Sequence, residues 1–228
     1  MKILFIGDIN AKGGRKVVKE NLSKIKLDYD IEFVIANIEN ASGGKGISSK
    51  TYDNFLKYGI DVFTSGNHIY EFQDIYTILA DNNSKLIRPL NYPETDPGRG
   101  FIISRTVKNN TVCVVNLAGQ IFMENSSCPF KSIEQHLENI KRQTNNIIVD
   151  IHAEATSEKM ALGHFLDGKV SAVIGTHTHV QTSDEIILAQ KTAYITDAGM
   201  TGSMSGVIGV KKELAIKRFL TQTYVKYK

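Results

Sequence analysis

The feature that most constrains the fold is a set of short, unbroken apolar runs, each stopping at a polar residue able to bind a cation. Ile3 to Ile6 stops at Gly7-Asp8, and Phe33 to Ile38 stops at Glu39-Asn40. Val62-Phe63-Thr64 stops at Gly66-Asn67-His68, and Asn146 to Ile151 stops at His152. Val170 to Ile174 runs into Gly175-Thr176-His177-Thr178-His179. Apolar runs this short, without polar alternation, read as strands buried on both faces.

Helical patterns lie between the runs. After Gly13-Gly14, residues Val17, Val18, Leu22 and Ile25 share one face; after Ser48-Ser49, read as N-caps, come Tyr52, Phe55 and Leu56, with Gly59 as the stop. Further helices are expected at about Phe72 to Ala80, after a capping box of Ser132 and Gln135, at Ala155 to Leu166, and near Lys212 to Leu220. Phe101 to Val107 and Thr111 to Leu117 flank Asn109-Asn110 as a hairpin, and Ile186 to Leu188 with Ala193 to Thr196 suggest a second. The order predicts a layered α/β fold, either a mixed sheet or a two-sheet sandwich between helices, with a plain doubly wound sheet as the competing architecture.

Composition sets bounds. The chain has 228 residues, enough for a substantial core, and is read as a single domain. Pro89, Pro93 and Pro97, with Gly98 and Gly100, read as a long ordered loop rather than a linker, because strands resume at once. The formal charge of +3 comes without a basic block of the kind that marks a nucleic-acid arm. Two cysteines, Cys113 and Cys128, form no CxxC and imply no disulfide framework, so a reducing cytoplasm is the expected setting. The apolar start meets Asp8 too early for a signal segment, and no run approaches the roughly 18 apolar residues of a membrane span.

The strand ends carry the chemistry. In extended backbone, His177 and His179 at i and i+2 project to one face, which suits neighbouring metal ligands. Singly, each strand end has a structural explanation: Asp8 capping a helix, Asn67 holding a turn, His152 hydrogen-bonded in the core. Together they bring carboxylate, amide and imidazole to the carboxyl ends of sheet strands, where ligands converge on one crevice. Thiolate is absent, and the mixed oxygen and nitrogen set suits iron, manganese or zinc in an open catalytic site. The candidates exceed one ion's needs, and a carboxylate can bridge two ions placed to activate water and clamp a phosphoryl group.

These blocks resemble a known family. Gly7-Asp8, Gly66-Asn67-His68 and Gly175-Thr176-His177-Thr178-His179 are similar to successive motifs of the calcineurin-like metallophosphoesterases. Ile38-Glu39-Asn40-Ala41, Arg88-Pro89-Leu90-Asn91, Asp150 to Lys159 and Thr196 to Gly202 resemble the YmdB-like branch of bacterial cyclic-nucleotide phosphodiesterases. The resemblance implies a four-layer α/β/β/α sandwich and two divalent or trivalent metal ions, Fe or Mn first and Zn as the alternative. It implies Glu39 as the bridging ligand, with Asp8, Asn40 and His179 on one ion and Asn67, His152 and His177 on the other. His68 would be the general acid that protonates the leaving oxygen.

Two positions separate this chain from the wider superfamily: Asn10 stands where a metal-binding histidine is usual, and Glu39 where a bridging aspartate is usual. Both fit the closer branch. Ile69-Tyr70-Glu71 is a looser match to the aromatic-acidic pair that follows the GNH block, and the chain stops soon after Tyr224, where family members usually continue.

The function implied is hydrolysis of phosphodiesters, 2′,3′-cyclic nucleotides foremost and 3′,5′-cyclic nucleotides or RNA ends beside them, in a cytoplasmic enzyme with no membrane partner that could form a homo-oligomer. The rivals are a phosphomonoesterase or nucleotidase on the same metals and a low-turnover nucleotide-binding regulator. An amidohydrolase is a third, but its HxH motif belongs near the first strand. Elsewhere, His136 is expected to be structural or on the surface, and His164 in the core or supporting the site. Asp150 is read as a supporting partner that orients a ligand histidine, Lys45 as meeting phosphate or lying in a flexible loop, Arg88 as pairing with phosphate or forming a structural ion pair, and Glu154 and Glu158 as orienting their loop and beginning the helix.

Overall fold

A computed structural model of the chain describes residues 1–123, 126–221 and 223–226. Two sheets carry the fold. The first holds β1 (Ile3–Ile6), β2 (Phe33–Asn37) and β3 (Val62–Thr64), all parallel and in that order. The second has the order β4-β5-β6-β7-β9-β8, from β4 (Phe101–Arg105), β5 (Thr111–Ala118), β6 (Ile147–His152), β7 (Ala172–Thr176), β8 (Ile186–Ile187) and β9 (Ala193–Ile195). Its four central strands are parallel, and its antiparallel edges are the two expected hairpins.

Alternation within each strand separates three buried cores. In β2, Val34 and Ala36 pack with Val18 and Leu22 of α1 (Ala11–Asp28), Phe55 of α2 (Ser49–Leu56) and Leu79 of α3 (Ile75–Ala80). In β5, Cys113, Val115 and Leu117 pack with Ile133 and Ile140 of α4 (Pro129–Lys141) and Leu162 of α5 (Thr156–Phe165). The opposite faces, Phe33, Ile35, Val62, Val112, Val114 and Ile148, meet in the third core between the sheets. Successive residues point to opposite faces of a strand, so a strand buried on both sides needs apolar residues throughout. The result is helices, sheet, sheet, helices in layers, which settles the choice against a single doubly wound sheet.

Three helix starts differ from the sequence expectation, and one of them is α3, which begins at Ile75 rather than at about Phe72. Helix α4 begins at Pro129, with Ser132 a turn inside it, so Ser132 is not its cap. Proline suits the first helical position because its missing N–H has no intrahelical partner there. Helix α1 begins at Ala11, ahead of Gly13-Gly14. Gly14 is required by close packing rather than by a break: a Cβ there would collide with the Thr201 carbonyl. Thr201 belongs to a segment after β9 that crosses back to the first sheet, donating its N–H to Asp8 O at 3.0 Å and accepting from Asn10 N–H at 2.9 Å. Helix α6 (Lys212–Thr221) follows.

Candidate metal centre

Parallel strands put their carboxyl ends on one side, and here both sheets contribute to one cluster. Asp8, Glu39, Asn40, Asn67 and His68 follow the strands of the first sheet, His152 ends β6, and His177 and His179 follow β7. Asp8, Glu39 and His152 are fully buried. Gly66 permits the closeness, since a Cβ there would run into Glu39 Oε2 and the His152 ring.

Hydrogen bonds on the far side of each ring fix the three histidines. Thr176 Oγ1 donates its single proton to Asp150 Oδ1 at 2.7 Å, so at 2.9 Å it accepts from His152 Nδ1–H. His177 Nε2 lies 3.1 Å from Glu154 Oε2, and His179 Nδ1 donates to Ile208 O at 2.9 Å. That leaves His152 Nε2, His177 Nδ1 and His179 Nε2 facing the cluster. Such outer partners commonly set the tautomer of metal-binding histidines.

Acceptor atoms then crowd together. His152 Nε2 lies 2.9 Å from Glu39 Oε1, 3.0 Å from His177 Nδ1 and 3.2 Å from Asn67 Oδ1. Two ligands at right angles on bonds of about 2.1 Å would sit about 3.0 Å apart. Glu39, His152 and His177 offer donor atoms all within 4.8 Å of one another. Among the described residues, buried Asp8 Oδ1 has no hydrogen-bond partner, while Asp8 Oδ2 accepts the His177 N–H at 2.9 Å.

The charges agree. Burial favours a neutral His152, yet Glu39, Asp8 and Asp150 overcome it and raise its pKa from 6.5 to about 9. Burial raises Asp8 from 3.8 to about 7, with Glu39 adding to the rise against the pull of His152. Burial also opposes ionisation of Glu39, but His152 and His68 hold it well below the ordinary 4.5. His177 is lowered to about 4 by burial and by His152. One proton on His152 satisfies one of its three close Nε2 neighbours. A cation satisfies all of them, so these residues fit a metal.

On the other flank, Asn40 Nδ2 is 3.0 Å from both Glu39 Oε1 and His179 Nε2, while Asn40 Oδ1 is 2.9 Å from His68 Nδ1. His177 therefore joins His152 and His179 joins Asn40. The extended-strand expectation for this histidine pair is corrected: β7 ends at Thr176, and His177 and His179 have φ of 100° and 64°. A left-handed loop, strained for residues other than glycine, places them.

Of the remaining residues, His164 and Arg88 depart from expectation. Asp150 does not touch His152; it accepts from Thr64, Asn37 and Thr176, and Thr176 passes the orientation on. His164 is exposed on α5. Arg88 is a buried loop clamp, and His136 binds Ser132 O. Glu158 accepts the N–H groups of Gln120 and Ile121. Sequence reading placed Lys159 and Asp197 within motif blocks but missed that they pair, buried, at 2.8 Å. Asp197 Oδ2 also takes the Thr178 hydroxyl at 2.7 Å and N–H at 3.2 Å, pinning the histidine loop. The available signal was a lysine on the buried face of α5.

A cavity of about 960 Å³ opens beside the cluster, bordered by Asn67, His68 and His177. Its other walls include Lys45, Glu71, Tyr70, Tyr92 and Asp96.

Helices enclosing two sheets, with carboxylate, amide and imidazole donors from the strand ends of both, define a calcineurin-like metallophosphoesterase. Residues 4–228 match the family described as YmdB-like protein, and the chain belongs to that family. It is 44% identical over 227 residues to a Bacillus subtilis (strain 168) protein described as 2′,3′-cyclic-nucleotide 2′-phosphodiesterase, covering 100% of this chain and 85% of that protein. A hypothetical protein from Thermus thermophilus, solved by crystallography, superposes with a TM-score of 0.93 at 41% identity, covering 100% of this chain and 88% of that one. A crystal structure described as a novel phosphatase from Mycoplasma pneumoniae superposes with a TM-score of 0.90 at 34% identity, covering 100% and 82%. The chain is an enzyme of the phosphoesterase class. No helix among the described residues is long and apolar enough to cross a membrane.

Proposed function

We propose that the enzyme is a phosphodiesterase whose cluster holds two metal ions and that its substrates are 2′,3′-cyclic nucleotides, as the description of the Bacillus relative suggests. The observation that carries this is the set of three imidazoles with outer nitrogens occupied and inner nitrogens turned toward Glu39 or Asn40. Glu39 is the shared ligand, Asp8, Asn40 and His179 complete one set, and Asn67, His152 and His177 complete the other. Metal ions held there, iron or manganese with zinc as the alternative, supply an activated water and neutralise phosphoryl charge.

The chain's own part is proton delivery. His68 borders both cluster and cavity, 2.9 Å from Asn40 Oδ1 and 3.5 Å from Glu39 Oε1. Asn40 Oδ1 accepts from His68 Nδ1–H at 2.9 Å and has a second lone pair to offer. The proton a general acid delivers sits at His68 Nε2, and its loss has to leave a neutral ring. Water oxygen bonds to phosphorus, the ester P–O bond breaks, and the ribose oxygen takes the His68 proton. The second proton of water restores the ring.

The test is elemental analysis of the purified protein, followed by assay of 2′,3′-cyclic nucleotides with Mn²⁺ and with chelator. His68→Ala should lose about 10²–10⁴-fold in rate with metal content retained. A metal-loaded protein inactive on every diester, or a fully active His68→Ala variant, sinks the proposal. A phosphomonoesterase is the second reading, favoured by the description of the Mycoplasma pneumoniae structure as a phosphatase. Relative rates on mono- and diesters decide between them.

A further inference from the structure

The cavity beside the cluster is larger than a phosphodiester group needs, and at about 960 Å³ it sits at the upper end of small-molecule sites. Its walls away from the cluster say what else the ligand carries. The ionised side chains among the described lining residues there are Lys45, Glu71 and Asp96. Lys45 is matched by Glu71 at 3.0 Å, which leaves Asp96 as the remaining carboxylate among these described lining residues. That carboxylate is an acceptor for N–H donors.

The cavity that Asp96 lines also carries aromatic rings. Tyr92 and Tyr70 both line the cavity, with ring centroids 6.2 Å apart and planes tilted by 33°. Tyr70 is anchored through its hydroxyl, which donates to Pro97 O at 2.9 Å. Arg88, buried, donates to Pro89 O at 2.7 Å and to Pro93 O at 3.2 Å. The proline-rich loop is thus clamped from beneath at Pro89 and Pro93 and tied at Pro97, and it presents Tyr92 and Asp96 on a stiff frame. Rigid presentation lowers the entropy cost of binding a flat ligand.

From this juxtaposition we propose that Tyr92 and Asp96 form a nucleobase subsite that favours guanine. The base stacks on Tyr92, a contact available to every base, and Asp96 supplies the preference. Guanine presents two adjacent N–H donors, N1–H and the 2-amino group, which match the two oxygens of a carboxylate. Uracil presents a single N–H between two carbonyls, which repel it. The subsite rests on the phosphodiesterase reading for its place in a reaction, but its ligand needs no phosphate and is tested without one.

The experiment is titration of the full chain with guanosine, uridine and methyl riboside, followed by calorimetry or ligand-observed NMR, for wild type, Tyr92→Ala, Tyr92→Phe and Asp96→Asn. Guanosine should bind at least about fivefold more tightly than uridine, and methyl riboside more weakly than both. Tyr92→Ala should weaken guanosine about tenfold and Tyr92→Phe less than about twofold, while Asp96→Asn should bring guanosine and uridine level. Guanosine binding no better than methyl riboside, or a guanosine preference that survives Asp96→Asn, overturns the proposal. In parallel, kcat/KM is compared for guanosine 2′,3′-cyclic phosphate and its base-free ribose counterpart. Diester turnover without a base preference refutes the subsite alone. Guanosine selectivity without any diester turnover supports the subsite and refutes the reaction.

Discussion

Thr176 is where the proposed centre is most exposed to a single-atom test. Its hydroxyl has one proton, given to Asp150, and its lone pairs receive His152 Nδ1–H at 2.9 Å. Thr176→Val keeps the shape and deletes the hydroxyl. His152 Nδ1–H is then buried without a partner, at about 1–3 kcal/mol, and Asp150 loses a charged hydrogen bond of about 1.5–3 kcal/mol. Asp150 retains its bonds from Thr64 at 2.5 Å and Asn37 at 3.0 Å, so the lower half of the summed range applies, about 3 kcal/mol. For a chain this size that lowers Tm by about 6–12 °C. With the tautomer of His152 no longer set, metal affinity should fall about 10–100-fold. Calorimetric melting and Mn²⁺ titration measure the two effects, and Thr176→Ser, which keeps the hydroxyl, should recover most of the affinity. A Thr176→Val protein that melts within about 2 °C of wild type and binds Mn²⁺ as tightly would show that the relay does not orient His152.

Three further outcomes are expected. Mn²⁺ at a hundred times its Kd should stabilise chelator-treated protein by about 2.7 kcal/mol, a rise of about 5–11 °C in Tm, and no rise would argue against a metal site. Lys159→Met strands the Asp197 charge and should cost about 3–5 kcal/mol in urea unfolding, with Asp197→Asn added to it restoring part of the loss. Of the two thiols, Cys113 is buried and pushed by that burial to about 12, whereas Cys128 is partly exposed. An aromatic disulfide reagent at pH 8 should therefore titrate one thiol in the native protein and the second only after unfolding.

The strands were legible because burial on both faces leaves no room for polar residues, as in Phe33–Asn37. Their polar ends were legible because the chemistry sits where the apolar run stops. What escaped was long-range or conformational. Thr176 meets Asp150 across 26 residues and Lys159 meets Asp197 across 38, with no local pattern to mark either pair. The φ of 100° at His177 has no signature in a histidine, and it overturned the strand geometry while keeping both histidines at the cluster. The start of α4 escaped because Cys128, its N-cap, is not a capping residue type.

Donors from both sheets meet at one point, and this has a consequence for how the protein comes together. Asp8 lies 169 residues from His177, to which it is bonded, and Asn37 lies 113 from Asp150. Neither sheet holds the full set, so the centre is a record of docking: it exists only while the interface built on Phe33, Val112 and their neighbours is closed. A cation bound there acts as a rivet between two halves far apart in the chain, and it reports on their union as directly as any probe of the core.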